Sequence, residues 1–224
     1  MHMTAKKMSG RGLLSLVRHE GIVPGPYRDV NQVWTFGIGH TRAAGSPDPA
    51  TMPRGMPDDL DALIREAFKI FKADIESYEA AVLRAVKVPL APHEFDALVS
   101  FHFNTGGIAR AALTRHLNAG DRVAAADAFL NWRRPASILP RREAEQRLFL
   151  HGRYPGGTIP VWSVDPAGRV NFRRPVRQLS GDEALALLHP AEPFKPPARK
   201  PMRPAPSGWL AQLAAHAANL FRKA

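Results

Sequence analysis

HEGIVPGPYRDVNQVWTFGIGHT, residues 19 to 41, gathers the reactive groups of this chain into one stretch. A carboxylate, Glu20, closes a short segment whose apolar residues are Leu13, Leu14, Leu16 and Val17. Gly21 reads as the helix stop, because a residue without Cβ takes the left-handed conformation in which helices end. Pro24, Gly25 and Pro26 predict an irregular connection. Tyr27 to Val30, a turn at Asn31-Gln32, and Val33 to Ile38 read as a hairpin, since β-branched and aromatic residues flank a polar break. Glu20 then hangs from a helix end, with Asp29 and Thr35 facing it from a small sheet. Two carboxylates across a cleft suit glycoside hydrolysis. One donates a proton to the leaving oxygen, and the other handles water or the cation-like sugar.

Each residue alone has a plainer reading. A Glu at a helix end is ordinarily solvated, an Asp before a turn bonds nearby amides, and a Thr in a strand is a β-propensity choice. No further glycine follows at dinucleotide spacing and no Lys-Ser/Thr closes a phosphate loop. Taken together, E-G-x7-D-x5-T-x-G-x-G-H resembles the amino-terminal motif of phage-type lysozymes, glycoside hydrolase family 24. The resemblance implies catalytic roles for Glu20, Asp29 and Thr35, and a positioning role for His40 in the trailing Gly37-Ile38-Gly39-His40.

The chain has 224 residues, enough for one domain plus an appendage. It contains no cysteine, which excludes a thiol nucleophile, disulfide staples and a Cys-based zinc site. The basic start is followed only by LLSLV, too short for a secretory signal. No run approaches a membrane span. Synthesis in the host cytoplasm and action on the periplasmic wall after release is the expectation, the resemblance implying that a separate pore-forming protein supplies the route. Net charge is +11, with 20 basic and 16 acidic side chains in residues 1–150 and 11 and 4 in residues 151–224. Nucleic acid, anionic lipid and anionic wall polymer attract such a chain alike. The charge concentrates in a Pro-rich tail without an aromatic-interleaved face, so no nucleic-acid partner is expected.

Arg42 to Pro57 reads as a loop, and Asp58 or Asp59 as the N-cap of a long helix. Leu60, Leu63, Ile64, Ala67, Phe68, Phe71, Ile75, Tyr78, Val82, Leu83 and Val86 keep helical spacing until Pro89. APHEFDALVSFHFNTGG predicts a central apolar helix closed by Gly106 and Gly107, with His102 a hydrogen-bonded core residue. FDALVSF followed by Phe103-Asn104 resembles the second signature of the same family, which implies that Phe103 and Asn104 lie at the cleft floor. Ala111 to Asn118 and Arg122 to Trp132 read as two further helices, with Val123, Ala126, Phe129 and Leu130 inward. Ala111-Ala112 stands where the family commonly has Ser-Thr. Leu139 to Gly152 reads as the last helix of the body and loosely matches a closing RR-x-x-E-x-x-LF pattern. The resemblance implies that Arg141, or failing it Arg142, meets Glu20.

The expected architecture is α+β and predominantly helical: a lysozyme-like two-lobed fold with a small β-hairpin lobe, a long linking helix, a helical lobe and a Pro-rich C-terminal extension. The expected organisation is a catalytic domain at 10–152 and an accessory extension at 153–188, with strands at Ile159–Val164 and Val170–Arg173 and a helix opened by a Ser180/Glu183 capping box. A seven-proline linker at 189–206 and an amphipathic helix at 207–224 follow. Trp209, Leu213, Leu220 and Phe221 on one face of that helix suit an anionic membrane or envelope surface.

The resemblance implies a monomeric peptidoglycan muramidase without cofactor or metal, cleaving between N-acetylmuramic acid and N-acetylglucosamine with inversion. A lytic transglycosylase needs one acidic residue and leaves Asp29 and Thr35 unexplained. A non-catalytic wall-binding module leaves Glu20 unexplained. A zinc amidase lacks H-E-x-x-H spacing.

Overall fold

The computed structural model describes residues 7–188, so the expected linker at 189–206 and terminal helix at 207–224 lie outside the described residues. Ser9 caps the first helix, α1 (Gly10–Glu20), its hydroxyl accepting from Gly12 N at 3.0 Å. The Ser9 amide donates to Asp96 at 2.9 Å, which pins the start of α1 to the central helix. Leu13, Leu14, Leu16 and Val17 are buried, as their spacing predicts. α1 ends at Glu20, and Gly21 takes φ 70° with ψ −178°. That is an extended exit available to glycine, not the expected left-handed cap. The chain therefore leaves the helix straight into strand pairing, through Ile22 beside Val161.

Three strands follow, β1 (Val23–Arg28), β2 (Trp34–Gly37) and β3 (His40–Thr41), antiparallel in the order β1-β2-β3. Pro24-Gly25-Pro26 lies inside β1 instead of forming a loose connection. An edge strand tolerates proline, and the register shifts between Val23 and Tyr27 around these residues. β1 starts earlier than the sequence predicts and stops at Arg28, short of the expected Val30, and β2 is shorter than the expected Val33–Ile38. The hairpin turn begins at Asp29, whose carboxylate competes for the backbone amides that a longer ladder would need. Tyr27 pairs with Thr35, and Phe36 with His40.

Asp59 caps α2 (Leu60–Ala85), accepting from Ala62 N at 2.9 Å. At 26 residues it runs from the sheet into the helical body. α3 (Pro92–Thr105) is the centre of that body and ends at left-handed Gly106. α4 (Ala112–Asn118) and α5 (Arg122–Asp127) follow. The expected helix to Trp132 instead tightens into a 3-10 turn at Ala128–Asn131. The buried stripe is Ala125, Ala126, Ala128 and Phe129, and Val123, in the first turn of α5, is 66% exposed, contrary to its expected inward position. α6 (Leu139–His151) closes at left-handed Gly152.

Beyond it come β4 (Ile159–Val161), β5 (Ser163–Val164), β6 (Val170–Asn171), β7 (Arg177–Leu179) and α7 (Gly181–Leu188). The single strand expected at Ile159–Val164 divides at Trp162, because β4 pairs with β7 and β5 with β6. The strand expected to reach Arg173 stops at Asn171, whose side chain accepts from Arg173 N in a turn. Ser180 and Glu183 form the capping box, exchanging bonds of 2.7 and 3.1 Å. Ile159, Val161, Leu179, Ala184 and Leu188 join the same buried cluster as Leu16, Phe68, Phe95 and Phe149. Each such side chain contributes about 1.5–3 kcal/mol when fully removed from water.

Candidate active site

Glu20 is the last residue of α1, and its side chain is 22% exposed. Arg141 Nη1 donates to Glu20 Oε1 at 2.6 Å, so the first of the two candidate arginines makes the contact. The guanidinium is held from behind, Nε donating to Glu145 Oε1 at 3.1 Å and Nη2 to the Ser100 carbonyl at 3.3 Å. Ser100 Oγ also donates to Glu145 Oε1, at 2.7 Å. Arg142 points elsewhere: its Nη2 serves Asn104 Oδ1 at 2.9 Å and Glu145 Oε1 at 3.2 Å. Arg141, Arg142 and Glu145 are buried, which reverses the ordinary placement of such residues. Two cations against two carboxylates keep the cluster balanced, a condition for burying charge.

Burial alone would lower the pKa of Arg141, but Glu20 and Glu145 outweigh it and raise it. Burial pushes Glu145 upward, while Arg141 and Arg142 pull it back. His19, next to Glu20, is depressed to about 4 by burial and by the two arginines, so it is neutral in this setting.

Across from Glu20, Asp29 heads the β1–β2 turn. Its Oδ1 accepts from the amides of Asn31 and Val33, each at 2.8 Å. The turn-forming reading is thus satisfied by one oxygen of the carboxylate. Among the described residues no hydrogen bond engages Glu20 Oε2 or Asp29 Oδ2. Thr35, in the middle strand, is 3% exposed and donates its hydroxyl to the Val33 carbonyl at 3.1 Å. Tyr27 lies beside Thr35 in the register, and its phenol is raised first by burial, then by the charges of Glu20 and Asp29. It therefore stands within the field of both carboxylates.

The remaining candidates divide. Phe103 is half-buried, tilted against Tyr78 at 4.8 Å and edge-on to Phe71 at 5.9 Å, and lies beside Gly39 in the β2–β3 turn. Asn104 is exposed and tied through Arg142 to the charged cluster, beside a hollow of about 480 Å³ lined by Thr105, Asn131, Trp132 and Arg134. His40, expected to position substrate, is 2% exposed, and both ring nitrogens are engaged, by Asp74 and by the Pro47 carbonyl at 2.8 Å each. It joins β3 to α2 and to the following loop, so its reach to a ligand is indirect. His102 packs on Tyr78, but its Nδ1 has no hydrogen-bond partner, unlike the satisfied histidine expected. Sequence reading passed over Tyr27, His19, Ser100 and Asp74. Only Glu145, three residues after Arg142 in the closing pattern, left a signal. Among the described residues no group of three or more His, Cys, Asp or Glu is placed to hold a metal.

Comparison with known proteins bears on this arrangement. The family described as phage lysozyme matches residues 17–145. The chain is 37% identical over 150 residues to the endolysin of Salmonella phage P22, covering 64% of this chain and 98% of that one. It is 34% identical over 142 residues to the SAR-endolysin of Escherichia phage Mu, covering 60% and 76%. Among solved structures, the endolysin from Escherichia coli O157:H7 phage FAHEc1 superposes with a TM-score of 0.57 at 29% identity, over 66% of this chain and 96% of that chain. The muramidase domain of SpmX from Asticaccaulis excentricus gives 0.51 at 30% identity, over 64% and 97%. The match extends over more than half of the sequence and takes in Glu20, Asp29, Thr35 and Arg141. The chain belongs to the phage lysozyme family and is a glycoside hydrolase of the lysozyme type.

Proposed function

We propose that this lysozyme hydrolyses the β-1,4 bond between N-acetylmuramic acid and N-acetylglucosamine of peptidoglycan, with inversion at the anomeric carbon. The observation that supports this most is the division of labour within each carboxyl group. Arg141 holds one oxygen of Glu20 and the turn amides hold one of Asp29, and in each the other oxygen is left for chemistry. Glu20 gives its proton to the glycosidic oxygen as the C1–O bond breaks. Water attacks C1 from the opposite face and passes its proton to Asp29. Thr35, on the strand next to Tyr27, presents the acceptor side of its hydroxyl to that water. Phe103 and Asn104 line the floor on which the glycan lies.

The test is digestion of purified peptidoglycan, with mass spectrometry of the fragments and NMR of the first-formed anomer. Reducing muramic acid in the α configuration is expected. A 1,6-anhydro sugar would make the protein a lytic transglycosylase, and β product would require a covalent intermediate. Among the described residues no helix is long and apolar enough to cross a membrane. Residues 189–224, basic and carrying the Trp209/Leu213/Leu220/Phe221 set, are assigned to attraction toward an anionic envelope. Their removal should spare activity on purified wall and weaken action on whole Gram-negative cells, most clearly at low salt.

A further inference from the structure

The family match ends at residue 145, yet the described residues continue to Leu188 and return to both walls of the site. At the Glu20 wall, Arg18 Nε donates to the Gly157 carbonyl at 2.8 Å and Nη1 to Pro155 at 3.1 Å. Ile22 N donates to the Pro160 carbonyl at 3.0 Å, and Trp162 N donates to the Ile22 carbonyl at 2.8 Å. The Trp162 indole closes over Gly21: a Cβ placed there would lie 2.7 Å from Nε1. At the hairpin wall, Arg28 N donates to the Gly168 carbonyl at 2.8 Å. Gly168, at φ 82°, lies so near Trp34 that a Cβ would approach its ring to 2.6 Å. Trp34 directly precedes Thr35 and is enclosed on its other sides by the guanidinium groups of Arg28 and Arg54, at 4.4 and 3.6 Å. Behind both walls, Arg177 pairs with Asp61 at the start of α2 and with Glu183 of α7.

We propose that residues 155–179 form a brace that sets the separation of Glu20 from Asp29 and Thr35, with Trp162 and Gly168 as its positioning residues. The inference rests on the catalytic assignment given above. Its physical basis is the softness of what it fastens. Asp29 sits on a short turn whose neighbours Val30 and Val33 are 95% and 45% exposed, and Glu20 is followed by a glycine exit and a strand broken by two prolines. The turn buries too little side chain of its own to fix Asp29, whereas residues 21–26 after Glu20 are buried and take part of their cover from residues 155–179, Ile22 lying beside Val161 and Gly25 beside Val164. Bonds to residues 18, 22 and 28 from one short stretch hold the helix end and the hairpin to a common frame. A misplacement of about 1 Å costs as much as 10²-fold in rate, so a brace of this kind acts on turnover more than on binding. Glu20 keeps its bond to Arg141 and Asp29 its bonds to the turn amides whether or not the brace is intact, so loosening it should slow the enzyme without stopping it.

The experiment uses the full chain, with Trp162→Ala, Trp162→Phe, Glu20→Gln and a remote core substitution, Ile75→Val, assayed below their melting temperatures. Spin labels at Val30→Cys and Ala109→Cys report the separation of hairpin and helical body. The chain has no native cysteine, so the labels attach only there. Trp162→Ala should lower kcat about tenfold with KM within about threefold and broaden the label distance distribution. Trp162→Phe should restore both, and Ile75→Val should change neither. Unchanged kcat in Trp162→Ala, a fall in kcat without broadening, or an equal fall in Ile75→Val would each overturn the brace. A fully active Glu20→Gln would instead remove the catalytic assignment, and the role of the brace in catalysis with it.

Discussion

Arg141 Nη1 and Glu20 Oε1 meet at 2.6 Å although 121 positions separate them in the chain. The end of the first helix and the start of the sixth thus close on one ion pair, and the pair fixes which oxygen of Glu20 remains available. Its inner side is not solvent. Arg141 is 8% exposed and Glu145, its second partner, 1%.

Glu20→Gln should abolish hydrolysis, because the amide keeps the shape and cannot donate the proton. General acid catalysis contributes about 10²–10⁴-fold. Turnover on purified peptidoglycan is the measurement, with circular dichroism to confirm the fold. A folded variant that keeps more than about a third of wild-type activity would take Glu20 out of the mechanism.

Arg141→Lys tests orientation separately from charge. A lysine ammonium is a single point and cannot reproduce a fork that reaches Glu20, Glu145 and the Ser100 carbonyl together. The expected result is lower kcat with the charge retained. Full activity in the lysine variant would mean that Glu20 needs only a nearby cation.

Glu145→Gln should be among the most destabilising single changes in the molecule. It leaves Arg142, already with Nε and Nη1 unpartnered, buried without its counter-charge. Removing one member of a buried pair costs about 3–5 kcal/mol. Denaturant unfolding at neutral pH reads this directly, and a loss below about 1 kcal/mol would show that the arginines find other compensation.

His19 makes stability depend on pH with a definite sign. Its folded pKa is depressed to about 4, from an ordinary value near 6.5. Unfolding therefore takes up a proton between these values, and stability is lost as pH falls through that window. Over the whole window the loss amounts to about 3.5 kcal/mol, at about 1.4 kcal/mol per unit. His19→Gln should lose less stability between pH 7 and pH 4 than the wild type does, in denaturant titrations at both pH values. Parallel losses in the two proteins would contradict a neutral His19.

The reach of sequence reading follows from where each residue's partners lie. Membership of the phage lysozyme family was legible because the motif through Glu20, Asp29 and Thr35 has local spacing within one short stretch. The long α2 was legible because its stripe repeats for seven turns. Arg142, Glu145 and Ser100 were not read as one buried cluster, since charged residues on a helix ordinarily mark its solvent face. β1 was hidden by its prolines, which an edge strand accepts but a sequence pattern reads as a break. β7 was missed because its partner, β4, lies about twenty residues away across an unrelated turn. The turn-forming reading of Asp29 holds, its Oδ1 accepting from the Asn31 and Val33 amides.

The continuity of the core past residue 152 bears on how this enzyme could be recombined with others. A boundary drawn at the end of the family match would cut through one continuous buried apolar cluster. Ile22, buried against Val161, would be left bare on the catalytic side, as would the α1 and α2 positions that α7 covers. Fusion partners, affinity tags or targeting peptides joined there would adjoin a sticky apolar face and promote aggregation. A junction that keeps this packing comes no earlier than Leu188, the last buried side chain among the described residues.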